Sequence, residues 1–137
     1  MKFINSFIIF SFLFHIEGCK EAELTPNERT EELLIAHTWQ MTEVKIDGIV
    51  SDLYSGLTLS FGSKTYTSTN GGKVWLASGT WEFVGDNGDK ILRDDGLEVI
   101  VESLTESQLV LSFTWNSTTF DGGRVGSLKG FHKMSFK

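Results

Sequence analysis

One residue of the chain, Cys19, carries a reactive thiol, and it is the only cysteine among 137 residues. It directly follows Ile16-Glu17-Gly18 and the apolar run that begins at Phe3. Because no second cysteine exists to form a disulfide within the chain, this sulfur is available for another covalent use, such as acylation. A thiol left free in an oxidising compartment would be liable to mispair.

The segment before Cys19 has the order of a secretory signal. Its apolar stretch, residues 3–16, contains 14 residues, whereas a helix needs about 20 to span a bilayer. Lys2 precedes the stretch and small Gly18 follows it, which gives the n-region, h-region and cleavage site in the expected order. We therefore expect residues 1–18 to be a signal peptide that is removed from the mature protein.

The residues from Ile16 to Cys19 resemble the lipobox of bacterial lipoproteins, which has an aliphatic residue three positions before the cysteine and a small residue immediately before it. The resemblance implies that a diacylglycerol is attached to the Cys19 sulfur and that a peptidase cuts before this residue. It predicts a palmitate-bearing lipoprotein of the cell envelope, anchored in the outer membrane at its periplasmic face or at the cell surface. Two alternatives stay open: an ordinary signal peptide with a leftover thiol, and an N-terminal strand with a buried cysteine.

Cleavage before Cys19 would leave 119 residues with 11 Lys and Arg and 17 Asp and Glu, a net charge of −6. This length suits one small domain, which we expect to be monomeric. Nucleic-acid affinity depends on Lys and Arg that displace counterions from phosphates, so the acidic balance argues against a nucleic-acid partner. We predict a tether over residues 19–25 and a folded domain over residues 26–137.

The start of that domain predicts a short helix. Thr25 can cap it, Pro26 suits the first helical position, and Glu28 can reach back to the cap. The helix is expected to run to about Ala36. The pattern that follows predicts eight strands, over residues 38–46, 57–61, 64–69, 74–83, 90–93, 97–104, 108–116 and 127–136.

Turn sequences separate these strands, with Asn70-Gly71 and Asp95-Gly96 as the strongest hairpin signals. Apolar and polar residues alternate over residues 57–61 and 109–115, so one face of the sheet is buried. Consecutive hairpins make a meander, and about eight such strands close into an up-and-down barrel without exposed edges. The expected fold is therefore all-β, an antiparallel barrel of about eight strands with a short N-terminal helix.

A short helix, Trp39 near the start of the first strand, and hairpins carrying residues 79–83 and 100–105 together resemble the lipocalin-like lipoproteins of Bacteroidota. The resemblance covers roughly residues 30–137. It departs from the lipocalin signature at His37, where that family has glycine. The resemblance implies a barrel that holds a small apolar or lipid-like ligand.

Residues for catalysis are few. Without the signal segment, the candidate bases are His37, His132 and the carboxylates, and no triad or zinc motif is present. We expect a protein that is not an enzyme and that has no cofactor or metal. His132 is expected on the solvated face of the last strand. The acidic segments 86–89 and 94–96 are interpreted as Asx turns, because they lack the spacing of a calcium loop.

Four tryptophans and six phenylalanines outside the signal segment give the domain a large apolar content. The residues predicted to line a ligand site are Trp39, Trp81, Phe83 and Trp115. An eight-stranded barrel is just wide enough either to be filled by side chains or to hold one small ligand. Two functions follow: a membrane-tethered module that binds a small apolar ligand, or a structural or interaction module of the envelope with a filled barrel.

Overall fold

A computed structural model describes residues 22–117 and 128–137. In those ranges the chain forms helix α1 (Pro26–Ile35) and then nine strands. The strands are β1 (Trp39–Ile46), β2 (Ile49–Ser51), β3 (Thr58–Phe61), β4 (Thr65–Thr69), β5 (Ser78–Phe83), β6 (Lys90–Arg93), β7 (Glu98–Leu104), β8 (Leu109–Trp115) and β9 (Gly130–Phe136).

Helix α1 begins at the residue that the sequence predicts. The Glu28 backbone N–H donates to Thr25 Oγ1 at 3.2 Å, and the Thr25 backbone N–H donates to Glu28 Oε2 at 2.8 Å. This reciprocal pair is a capping box, and it satisfies two donors that a helix start would otherwise leave free. The predicted helix and its cap are confirmed.

We expect Thr25→Ala to lower the free energy of unfolding by about 1 kcal/mol, because the alanine cannot accept from the helix. Urea denaturation of the variant and of the wild-type protein measures this difference. Thr67→Ala, at an exposed strand position, serves as the control and should cost less than about 0.5 kcal/mol. Equal losses at the two positions would contradict a role for the cap.

The strands form a closed antiparallel barrel. Each strand from β3 to β8 pairs with the next along the chain, and β1 pairs with both β3 and β9, which closes the ring. Strand β2 pairs only with the last residues of β1, so eight strands make up the barrel. The fold class predicted from the sequence is thereby confirmed.

The two ends of the barrel differ. The first, which we call the helix end, carries α1 and the connections β3–β4 and β5–β6. There the side chains of Asn27 and Thr30 bond to the backbone of Gly85 and Gly88 at 2.8 to 3.0 Å. The second, which we call the loop end, carries the connections β4–β5 and β6–β7.

The inward faces of the strands supply the core. Trp39 and Trp81 are buried and face inward, whereas Glu43 and Glu82 are exposed, as the alternation predicts. A register shift in β1 between Met41 and Glu43 keeps the later residues of that strand in phase with the interior.

Two features differ from the sequence-based expectation. The hairpin that β2 forms with β1 was not predicted, since its strand is only three residues long. Residues 74–77, predicted to begin a strand, lie instead in the loop before β5. That loop turns through Asn70 and Gly72, which have φ of 58° and 57°, and it directs Val74 and Trp75 into the loop end of the barrel.

Candidate functional site

The predicted site residues are divided between the two ends of the barrel, and Cys19 lies outside the described residues. Trp39 and Trp81 belong to the helix-end half. Their indole Nε1 atoms donate to backbone oxygens at 3.0 Å, that of Leu34 for Trp39 and that of Thr65 for Trp81. The ring of Phe83 packs edge-on against Trp81 at 5.0 Å. Trp115 ends β8 at the opposite end, so the four residues do not surround one cavity.

At the loop end a different group of side chains fills the interior, and we call it the loop-end cluster. Its members are Tyr54, Tyr66, Trp75, Arg93, Phe113, Trp115 and His132. All are buried except Trp115, which is half-buried. The sequence predicted only Trp115 as part of a site.

Trp75 occupies the centre of this cluster. Tyr66 and Phe113 meet its ring edge-on, with centroids 5.5 and 6.1 Å away. The Arg93 guanidinium lies over the ring face, 4.7 Å from the centroid, a position in which the cation is attracted to the π-electrons. The indole is thus held between two aromatic walls and a planar cation.

Arg93 is only 2 % exposed, and its charge is balanced from one side. Its Nε and Nη2 donate to the Asp95 carboxylate, and its Nη1 donates to the backbone oxygen of Val74 at 2.7 Å. Burial alone would raise the pKa of Asp95, but the hydrogen bonds and charge of Arg93 outweigh this and hold that pKa below its ordinary value. The acidic turn 94–96 therefore serves as the counter-ion of a buried arginine.

His132 lies inside the barrel, so the prediction of a solvated position is wrong. Its ring stacks on Phe113 with centroids 5.0 Å apart, and its Nε2 lies 3.3 Å from Tyr54 Oη. The neighbouring residue Phe131 takes the outward face and is 44 % exposed. The two residues alternate along β9 as predicted, and His132 is the one on the inward face.

We expect His132 to make stability depend on pH. Burial lowers its pKa below the ordinary 6.5, although the Gly130 carbonyl and the Asp47 charge act in the opposite direction. Below pH 6.5 the unfolded chain binds a proton that the folded chain does not, so the free energy of unfolding falls until the pH reaches the folded-state pKa.

Urea denaturation at pH 7.5, 6.5 and 5.5 measures this dependence. His132→Gln removes the titrating ring and should flatten the change over that range, whereas Thr67→Ala, which changes no titrating group at an exposed position, should leave it as in the wild-type protein. The same slope in all three proteins would contradict the prediction.

Two indole N–H groups are buried without an acceptor among the described residues, those of Trp75 and Trp115. An unsatisfied buried donor costs about 1 to 3 kcal/mol, and most buried polar groups in native structures have a partner. Both donors belong to the loop-end cluster. At the helix end, by contrast, the indole N–H groups of Trp39 and Trp81 both have backbone acceptors.

Open clefts lie on the outside of the barrel. One of them measures about 600 Å³ and is lined by residues of the β1–β2 hairpin, which are Ile46, Ile49, Val50, Ser51 and Asp52. Ile49 and Val50 are 73 % and 62 % exposed. These two side chains form an apolar surface on β2, the outermost strand of the described sheet.

Over residues 22–117 and 128–137, no three His, Cys, Asp or Glu side chains lie close enough to hold a metal ion. The same ranges contain no helix of the length and apolarity that a membrane crossing requires. In comparisons with known proteins, the chain matches no family model, and no curated protein matches it. The closed antiparallel barrel is consistent with a lipocalin-like protein, and this likeness is one of architecture.

Proposed function

We propose that this chain is a non-catalytic lipoprotein of the cell envelope whose barrel binds one small, mainly apolar molecule at the loop end. The observation that carries the proposal is the pair of buried indole donors, on Trp75 and Trp115, that have no acceptor in the described part of the chain. Binding of a small molecule would satisfy these donors, either by supplying an oxygen or nitrogen acceptor or by displacing an indole ring into solvent, where water accepts from its N–H group.

The composition of the loop-end cluster also favours a binding role. A barrel that needed only to be filled would be more stable with apolar side chains than with a buried ion pair. This interior nevertheless contains Arg93 and His132, which are 2 % and 0 % exposed. Ligand sites characteristically combine apolar walls with a few placed polar groups, and the loop-end cluster has this composition.

The proposed anchor suits this arrangement. Acylated Cys19 would precede α1 by seven residues, which extend to at most about 25 Å. Because α1 covers the helix end, a membrane attached through this tether would lie on that side of the domain. The loop end would then face away from the membrane and be open to molecules in the surrounding compartment.

The anchor is tested with Cys19→Ala. Two acyl chains bind a membrane stably, at about 0.8 kcal/mol per buried methylene, so the wild-type protein should label with palmitate and sediment with membranes. The variant should lose the label and either appear in the soluble fraction or remain unprocessed. Palmitate labelling that survives the substitution would contradict the proposed anchor.

Ligand binding is tested by titration with N-phenyl-1-naphthylamine, an apolar fluorescent probe. The wild-type protein should quench its tryptophan emission saturably, with a stoichiometry near one. Phe113→Ala removes a wall of the loop-end cluster and should weaken binding of the probe. Val84→Ala, on an exposed loop of the helix end, should leave this binding unchanged. No saturable change, or equal weakening in both variants, would contradict the assignment of the site.

A filled barrel that acts as an interaction module is the second candidate, and the β1–β2 hairpin favours it. Ile49 and Val50 are the most exposed of the large apolar side chains described, and one edge of β2 pairs with no strand of residues 22–117 and 128–137. Exposed strand edges can pair with an added strand. Ile49→Ser should abolish capture of an envelope protein in this case, while leaving small-molecule binding unchanged.

A further inference from the structure

The loop before β5 places two of its side chains in the interior of the barrel, where a ligand would bind. Val74 and Trp75 are 0 % and 1 % exposed, although they belong to a connection between strands rather than to a strand. The neighbouring Leu76 is 47 % exposed. The loop therefore inserts two side chains into the loop end and then returns to the surface within one residue.

The loop inserts a flat aromatic ring and a hydrogen-bond acceptor next to it. Trp75 supplies a flat ring, which lies under the Arg93 guanidinium and between Tyr66 and Phe113. The residue before it supplies a carbonyl oxygen, which accepts from Arg93 Nη1 at 2.7 Å. Ring and acceptor are adjacent along the chain, and the same guanidinium contacts both.

The fit of the ring is incomplete. Its Nε1 is buried and has no acceptor among the described residues, whereas Trp39 and Trp81 each donate to a backbone oxygen. A side chain whose only role is to complete the core would be expected to have this donor satisfied. Trp75 thus packs well in its position, but its indole N–H group is left without an acceptor among the described residues.

Displacement of the loop would break a small set of hydrogen bonds. Apart from the Arg93 contact, the Trp75 backbone N–H donates to the Gly71 oxygen and the Ser68 backbone N–H donates to the Ala77 oxygen, both at 3.0 Å. The Ser68 hydroxyl donates to the backbone oxygens of Trp75 and Leu76 at 2.9 and 2.8 Å. At its first residue, the Asn70 side chain donates to the Gly56 oxygen at 3.1 Å. The strands on either side pair with their neighbours independently of the loop.

We propose that the Val74–Trp75 segment occupies the ligand site, and that the ligand is a flat aromatic molecule with a hydrogen-bond acceptor next to its ring, which displaces this segment. This inference rests on the proposed function and specifies its ligand. Displacement leaves Asp95 paired with Arg93 and frees Arg93 Nη1 and the Ser68 hydroxyl as donors. The site therefore remains close to neutral and selects an uncharged acceptor such as a carbonyl or amide oxygen.

The first test removes the ring that anchors the segment. In Trp75→Gly the Val74 carbonyl is free to leave Arg93, so this variant should bind N-acetyltryptophanamide with a stoichiometry of one by calorimetry. The acetyl oxygen and indole of this molecule correspond to the Val74 oxygen and the Trp75 ring. Indole, which lacks the acceptor, and N-acetylleucinamide, which lacks the ring, should each bind at least about tenfold more weakly. Adding Arg93→Met to Trp75→Gly should weaken the binding of N-acetyltryptophanamide by a similar factor.

Absence of binding to folded Trp75→Gly, or equal affinity for indole and N-acetyltryptophanamide, would overturn the proposal. The wild-type protein provides a second measurement if the variant does not fold. Hydrogen exchange of the four indole N–H groups is followed by NMR, with resonances assigned through single Trp→Phe variants. Trp75 should exchange at least about tenfold faster than Trp39, because it needs only local opening, and saturating N-acetyltryptophanamide should accelerate it further.

Exchange of Trp75 at the rate of Trp39, with or without the probe, would overturn the displacement. This failure differs from failure of the proposed function. If N-phenyl-1-naphthylamine saturates the wild-type barrel while Trp75 stays protected, the barrel binds ligands and the loop is not the displaced element. If no small molecule binds either the wild-type protein or Trp75→Gly, both proposals are wrong.

Discussion

Replacing Trp39 with alanine should lower the free energy of unfolding by about 3 to 5 kcal/mol, the range for large aromatic side chains removed from a core. Trp39 is 0 % exposed, and its indole joins β1 to the end of α1 through the bond to the Leu34 oxygen. Because small domains have only about 5 to 15 kcal/mol of total stability, this one change should remove a large part of it.

Urea denaturation followed by circular dichroism measures the loss. Trp39→Phe keeps an aromatic ring but not the N–H group, so it should cost clearly less than the alanine variant. Leu76→Ala, at a position 47 % exposed, is the control and should change stability by less than about 0.5 kcal/mol. A loss below about 1 kcal/mol for Trp39→Ala would contradict the packing described for the helix end.

Asp95→Asn should be the second most damaging substitution, at about 3 kcal/mol. It removes the counter-ion of Arg93, whose guanidinium side chain is fully buried, and a buried charge without a partner is costly. We place the effect at the lower end of the range for buried pairs because the Asp95 side chain is 31 % exposed. Urea denaturation at pH 7 measures the loss.

The double variant Arg93→Met and Asp95→Asn separates the charge from the packing. Removal of both charges leaves an apolar side chain in the cluster, so the double variant should be more stable than Asp95→Asn alone. Glu98→Gln, which breaks the exposed pair with Lys90, is the control and should cost less than about 1 kcal/mol. A double variant no more stable than the single one would contradict this account of the pair.

Acid should weaken the same pair. The pKa of Asp95 is held below its ordinary value of 3.8, so its contribution is fully present above pH 3.8 and is lost as the pH falls through the lower, folded-state pKa. His132 acts at higher pH, below 6.5. The destabilisation by His132 therefore begins at a higher pH than that by Asp95.

Local signals predicted the fold well. The capping box at Thr25 and Glu28 depends on residues three apart, so the sequence alone determines it. Strand alternation depends on neighbours two apart, and it located the strands around Leu59 and Leu111 to within one or two residues. Closure of the barrel followed from the number of consecutive hairpins.

The loop-end cluster was harder to predict because its members meet only in the closed barrel. Trp75 follows Val74 in an apolar run that favours a strand, and the need to fill the barrel end outweighs that local preference. His132 alternates with Phe131, and either could have faced inward. One signal was present for Arg93, since it stands two residues after Ile91 and therefore on the same buried face.

The residues predicted for a ligand site were chosen for their size and apolar character. Trp39 and Trp81 are large, but their N–H groups are already satisfied, which assigns them to the core. A ligand site requires unsatisfied polar groups as well, and these can be recognised only when partners are known. Trp115 meets this criterion, and its role in binding remains a prediction.

Native mass spectrometry of the protein purified from its own host would show whether the barrel is a receptor. We expect a chain that begins at acylated Cys19 and carries one additional small molecule per polypeptide, which is released on unfolding and is aromatic and uncharged. The acylated polypeptide with no bound small molecule, or a complex only with another protein, would contradict the claim that this barrel is a receptor.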